Sequence, residues 1–77
     1  MSTEKQKKQS IGERIAALRK EKCWTQAELA DKLNVSDKAV SKWEQDGGTP
    51  NLDTIPDLAN IFGVSIDYLL TGIEHDV

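Results

Sequence analysis

The stretch TQAELADKLNVSDKAVSKWEQ, residues 25–45, decides the fold. Thr25-Gln26-Ala27-Glu28 is a capping box: the threonine hydroxyl takes a backbone N–H of the coming turn, and the glutamate reaches back to the threonine N–H. Leu29, Ala30 and Leu33 then form the apolar side of a helix over 26–33. Asn34 stands where the chain must turn sharply, and asparagine tolerates the left-handed region better than other residues with a Cβ. Ser36 caps a second helix over 37–45, with Val40 and Trp43 on one face. Only Asn34 and Val35 separate the first helix from the cap of the second. Ala30 is small, so the two helices can cross closely. Asp37, Lys38, Ser41, Lys42 and Gln45 are left on the outer face of the second helix.

Outward from this unit the same signals recur. Ser10-Ile11-Gly12-Glu13 is another capping box, and Ile11, Ile15 and Leu18 follow at spacings of four and three, which predicts a helix over 11–22. On the other side, Asn51 as a cap would put Pro56 in the second turn. Thr54 as the cap puts it in the first, where it is tolerated. The expectation is an irregular turn over 51–54 and a helix over 55–62, with Ile55, Leu58, Ala59 and Phe62 facing the core, Ile61 at its edge, and Gly63 as its end. Ser65 caps a short helix over 66–71 carrying Ile66, Leu69 and Leu70, stopped by Gly72. No strand pattern interrupts these five helices, so the expected fold is a compact all-α domain over 10–72, with flexible ends at 1–9 and 73–77.

The 77 residues allow one small domain. Net charge is −3, but it is divided unevenly. Residues 1–42 hold all ten basic residues and six acidic ones, or +4; residues 43–77 hold seven acidic residues and no basic one, or −7. Such a chain could turn a basic pole toward a polyanion, although surface charges also drift by chance. Cys23 is the single cysteine, which excludes an internal disulfide and a cysteine-based zinc site. It reads as a packing thiol, with redox sensing left open. No run approaches the ~18 apolar residues of a membrane span, and no signal peptide opens the chain, so a cytoplasmic location is expected. No P-loop, nucleophile–base set or metal-ligand spacing is present. The expectation is therefore no enzymatic activity, no cofactor, no metal and no small-molecule ligand. His75 stands alone near the end of the chain.

An exposed helix bearing short and long polar groups fits the ~12 Å wide major groove of B-DNA. Residues 11–71 resemble the Cro-type (XRE) family of helix-turn-helix repressor domains, whose fold is lambda-repressor-like. The resemblance is carried by Ile11–Arg19, by Thr25 to Ala30, by Leu33-Asn34-Val35-Ser36, by Val40 to Glu44, and by Leu58 to Leu70. It implies that Gln26 clamps a DNA phosphate, helped by the free N–H groups and dipole of its helix. Thr25, Gln45, Thr49 and Asn51 are the other phosphate-contacting candidates, Thr25 being chiefly a cap. It implies that Asp37, Lys38, Ser41 and Lys42 read bases or line the groove, lysine donating to guanine and aspartate accepting from cytosine. It also implies an Arg19–Glu44 ion pair that orients the reading helix. Asp37 is either a specificity device or a charge favoured at a helix start. Relatives often carry glycine at Cys23 and Asn34. The loop Asp46-Gly47-Gly48-Thr49 lacks basic residues that some relatives use on phosphates, which leaves backbone N–H groups at Gly48, Thr49 and Asn51.

Trp24 and Trp43 read as core, and Tyr68 as either core or self-contact. The implied function is a sequence-specific transcriptional regulator, expected to be a repressor. It would act as a homodimer on a near-palindromic operator in double-stranded DNA, with Ile66, Tyr68, Leu70 and Ile73 as the self-contact surface. The alternative is a protein-binding module, such as an antitoxin, built on the same five helices.

Overall fold

Five helices in the computed structural model account for most of the described residues, 9–73. They are α1 (Ile11–Glu21), α2 (Gln26–Leu33), α3 (Asp37–Glu44), α4 (Thr54–Phe62) and α5 (Ile66–Thr71). Both capping boxes form. The Glu13 and Glu28 N–H groups donate to the Ser10 and Thr25 hydroxyls at 3.0 Å, and the glutamates accept the return bonds at 3.0 and 2.8 Å. The Ser36 and Ser65 hydroxyls accept from Ala39 and Tyr68 at 3.1 and 2.9 Å. The expected flexible ends, 1–9 and 73–77, lie outside the described residues except for Gln9 and Ile73, and His75 lies outside as well.

The start of α4 differs from expectation. Thr54 is the first helical residue rather than the cap, and Asp53 before it has helical angles and no side-chain capping bond. A capping side chain needs an extended residue, which Asp53 is not. Here the Asn51 carbonyl replaces it, accepting from the N–H groups of Thr54 and Ile55 at 2.9 and 3.2 Å. Pro56 follows with no N–H to satisfy, so the first turn leaves few donors orphaned.

α3 ends at Glu44 with Gln45 as its cap, one residue short of the expected 37–45. The left-handed residue is Asp46, with φ 62°, ahead of the Gly47-Gly48 pair. Gly47 then donates to the Lys42 carbonyl at 2.8 Å. The two glycines instead provide room: a Cβ on either would press on the Lys42 stem at 3.1 and 3.3 Å. The Asp46 carboxylate lies at the start of α1, accepting from the Ser10 hydroxyl at 3.1 Å, where the helix dipole favours an anion.

Ile15, Leu18, Leu29, Ala30, Val40, Trp43, Ile55, Leu58, Ala59, Phe62 and Leu69 form one core. α1 crosses α3 so closely that a Cβ on Gly12 would overlap the Trp43 carbonyl oxygen. Trp43 is buried, and half-buried Trp24 stacks on Phe62 with centroids 5.9 Å apart while the Lys32 ammonium sits 4.6 Å over its ring. Tyr68 packs partly against the core. Ile66, Leu70 and Ile73 remain exposed beside it, and Leu52, at 88% exposure, stands in the loop before α4.

Arg14 is the unanticipated core member, 3% exposed. Its guanidinium donates to the carbonyls of Gln9 at 2.9 Å and of Ser10 and Leu69 at 3.4 Å, tying the start of α1 to the carbonyl end of α5. A cation there complements the helix dipole. Gly72 gives it space, since a Cβ would lie 2.8 Å from Nη2.

Candidate nucleic-acid interface

Val40 and Trp43, three residues apart, anchor one side of α3 in the core. The helical repeat therefore directs Asp37, Lys38 and Lys42 to solvent, and each is exposed. Ser41 is half-buried, and its hydroxyl accepts from Gln45 Nε2 at 3.1 Å. A candidate base reader and a candidate phosphate contact are thus joined on one helix face. α3 has eight residues, about 12 Å of axis at 1.5 Å per residue, short enough to enter a major groove end to end.

The Lys42 stem lies against the loop that follows α3. It runs beside Gly47 and Gly48, so the loop after α3 and the solvent face of that helix are in contact. In that loop Pro50 is buried and holds the chain to the body, while Thr49 and Asn51 are exposed. The N–H groups of Gly48, Thr49 and Asn51 make no backbone hydrogen bond among the described residues.

The Arg19–Glu44 pair has bidentate geometry. Arg19 Nε donates to Glu44 Oε2 at 2.7 Å and Nη2 to Oε1 at 3.0 Å, with side chains 12% and 7% exposed. Arg19 Nη1 adds a bond to the Trp24 carbonyl at 2.8 Å, so one guanidinium ties the α1–α2 turn to the end of α3. Burial alone would push the Glu44 carboxyl upward. The hydrogen bonds from Arg19 and Gln26, and the charges of Arg19 and Lys20, outweigh that and hold it below the usual 4.5. The same hydrogen bond from the Arg19 side raises the guanidinium further.

Gln26 was expected at a phosphate and stands within this network. Its Nε2 donates to Glu44 Oε1 at 2.9 Å. The Thr25 hydroxyl is committed to its cap. Gln26 is thereby held against the C-terminal end of α3, whereas Asp37 and Lys38 occupy the opposite end. Sequence reasoning missed the Gln26–Glu44 bond, the Arg14 clamp and the Gly12 contact. The capping box was the available signal for Gln26, since it fixes the helix start but not where a long side chain lands. Among the described residues, no group of three or more His, Cys, Asp or Glu side chains is placed to hold a metal, and no helix is long and apolar enough to cross a membrane.

Residues 15–69 match the protein family described as Helix-turn-helix. The chain is 41% identical over 61 residues to the HTH-type transcriptional regulator ImmR of Bacillus subtilis, covering 79% of this chain and 48% of that protein. It is 44% identical over 64 residues to the HTH-type transcriptional activator BcrR of Enterococcus faecalis, covering 83% and 31%. The crystal structure of the P22 c2 repressor with a synthetic operator superposes with a TM-score of 0.80 at 40% identity, covering 84% of this chain and 98% of that one. The match thus spans less than half the length of either of these two curated relatives.

Proposed function

The chain belongs to the XRE-type helix-turn-helix family, and from that premise we propose that it is a sequence-specific DNA-binding transcriptional regulator acting as a repressor. The observation that carries this reading is the solvent face of α3. Two ammonium groups, a carboxylate and a paired hydroxyl–amide stand on a short helix whose other side is fixed in the core. In the mechanism, α3 enters the major groove. Lys38 and Lys42 donate to guanine O6 and N7, Asp37 accepts from cytosine N4, and Ser41 lines the groove with Gln45. Gln26 donates to a phosphate from the start of α2, and the N–H groups of Gly48, Thr49 and Asn51, with the Thr49 and Asn51 side chains, hold the backbone on the other side of α3. These contacts fix the height and angle at which α3 sits, and the base contacts then discriminate.

One α3 reads only a few base pairs, so useful selectivity calls for a homodimer on a near-palindromic operator, its half-sites about 34 Å apart. The exposed Ile66, Leu70 and Ile73 support self-contact through α5. The site of action in this reading is the cytoplasm, at the nucleoid.

Binding of fluorescent duplexes at rising salt tests the proposal. Phosphate neutralisation predicts a log-linear fall of affinity with salt, about 0.9 per neutralised phosphate. Absence of duplex binding at low salt, or binding unaffected by loss of Lys38 and Lys42, would instead favour a protein-binding module.

A further inference from the structure

We infer that Glu44 is a positioning residue for the phosphate contact of Gln26, so that the α2 clamp and the α3 reading face engage DNA as one rigid unit. The inference rests on the DNA-binding reading above and extends it to a residue that touches no DNA. A glutamine amide has two faces, one donating and one accepting. A free glutamine presents either face, in several rotamers, and only the donating face suits a phosphate. Glu44 removes that freedom. Its carboxylate is acceptor-only, so it selects the Nε2 edge of Gln26, at 2.9 Å, and rejects the oxygen edge. Nε2 carries a second N–H, which remains available for an anion at the exposed start of α2.

The carboxylate can do this because it is itself immobile. Oε2 accepts from Arg19 Nε and Oε1 from Arg19 Nη2, while Nη1 of the same guanidinium is bonded to the Trp24 carbonyl. The Glu44 side chain is 7% exposed, so water competes weakly for it. Glu44 is also the last residue of α3, which makes the bond a direct link between the helix that holds the backbone and the helix that reads. Preorganisation of this kind lowers the ordering cost of each contact on binding.

The test is a double-variant cycle in the full 77-residue chain, with anisotropy titrations on a selected duplex and on an unrelated one. Gln26→Ala should weaken binding to both duplexes about tenfold, as loss of a hydrogen bond to a charged group does. Glu44→Gln should weaken both by a similar factor, and the double variant should bind like either single one. The salt slope of Gln26→Ala should not change, because the amide neutralises no phosphate. Multiplying losses in the double variant, or a folded Glu44→Gln protein that binds like wild type or more tightly, would overturn the positioning role alone. A wild-type chain that binds no duplex would overturn the functional reading together with it. Should Glu44→Gln not fold, side-chain amide NMR of the wild type decides the matter. One Gln26 Nε2 proton should follow the acid titration of Glu44 and keep its shift when DNA is added, while its partner moves. Two protons shifted like those of solvent-exposed glutamines, or loss of the Glu44-bonded shift in the complex, overturns the inference.

Discussion

Lys42 is the residue on which discrimination should depend most. Its stem lies beside Gly47 and Gly48, and in the proposed complex its ammonium is the donor to a base edge. Lys42→Ala should cost about 1–3 kcal/mol on the preferred duplex and relax preference at one base pair. Competition titrations with single-base variants of the duplex would measure both effects. Trp43 tests the other side of the same helix. It is buried against Val40 and the core, and Trp43→Ala should cost ~3–5 kcal/mol, seen as a large drop in the denaturant midpoint. Glu44 gives a pH signature. Its carboxyl is held below its usual range in the folded chain, so its stabilising contribution is fully present above about pH 4.5 and is lost as pH falls through the lowered value. The melting temperature should therefore fall on acidification below that point, and Glu44→Gln should flatten that part of the profile. A profile unchanged by the substitution would mean that other carboxylates set the acid limit. The Arg19–Glu44 pair was legible in sequence through family resemblance. Arg14 was not, because its partners are carbonyls of Gln9, Ser10 and Leu69, and no side-chain pattern announces a main-chain acceptor.

At the level of the helix, the starts were easier to read than the ends. A serine or threonine three residues before a glutamate has one main use, and both boxes formed. The ends depend on which residue takes the left-handed angles, and three that do so are Cys23, Asn34 and Asp46 rather than glycines. Asn34 was expected from its amide side chain. Asp46 carries no such signal, and the adjacent Gly47-Gly48 gives room to the Lys42 stem rather than taking the left-handed angles. α4 shows a related limit, since its start is satisfied by the Asn51 carbonyl, a main-chain group that residue types do not reveal. The helix ends carry a stability prediction. Cys23 has φ 62° and is exposed, and left-handed angles cost a residue with a Cβ roughly 1–2 kcal/mol. Cys23→Gly removes that strain, offset in part by greater freedom of the unfolded chain, and should raise the melting temperature by a few degrees. Its exposure removes the packing role expected of the thiol, so an unchanged or lowered melting temperature would show that the freedom glycine adds to the unfolded chain matches or exceeds the strain.

For the whole molecule, the uneven charge acquires a structural meaning. Arg14 is buried and Arg19 paired, so neither offers its charge to a polyanion. Asp46, Asp57 and Asp67 stand at the starts of α1, α4 and α5, where helix dipoles favour them. The bases left for DNA around the reading helix are Lys38 and Lys42, and the phosphate contacts proposed beside them are neutral: amides, a hydroxyl and backbone N–H groups. Binding should accordingly depend on geometry more than on charge. Selection of bound duplexes from a random pool, run with wild type and with Lys42→Ala, addresses the groove-reading role of α3 most directly. The wild type should enrich two inverted half-sites with centres about 34 Å apart, one turn of DNA, and Lys42→Ala should enrich the same spacing with one symmetric pair of positions relaxed. A pool that stays random with wild type, or one motif recovered unchanged from both proteins, would contradict the placement of α3 in the groove.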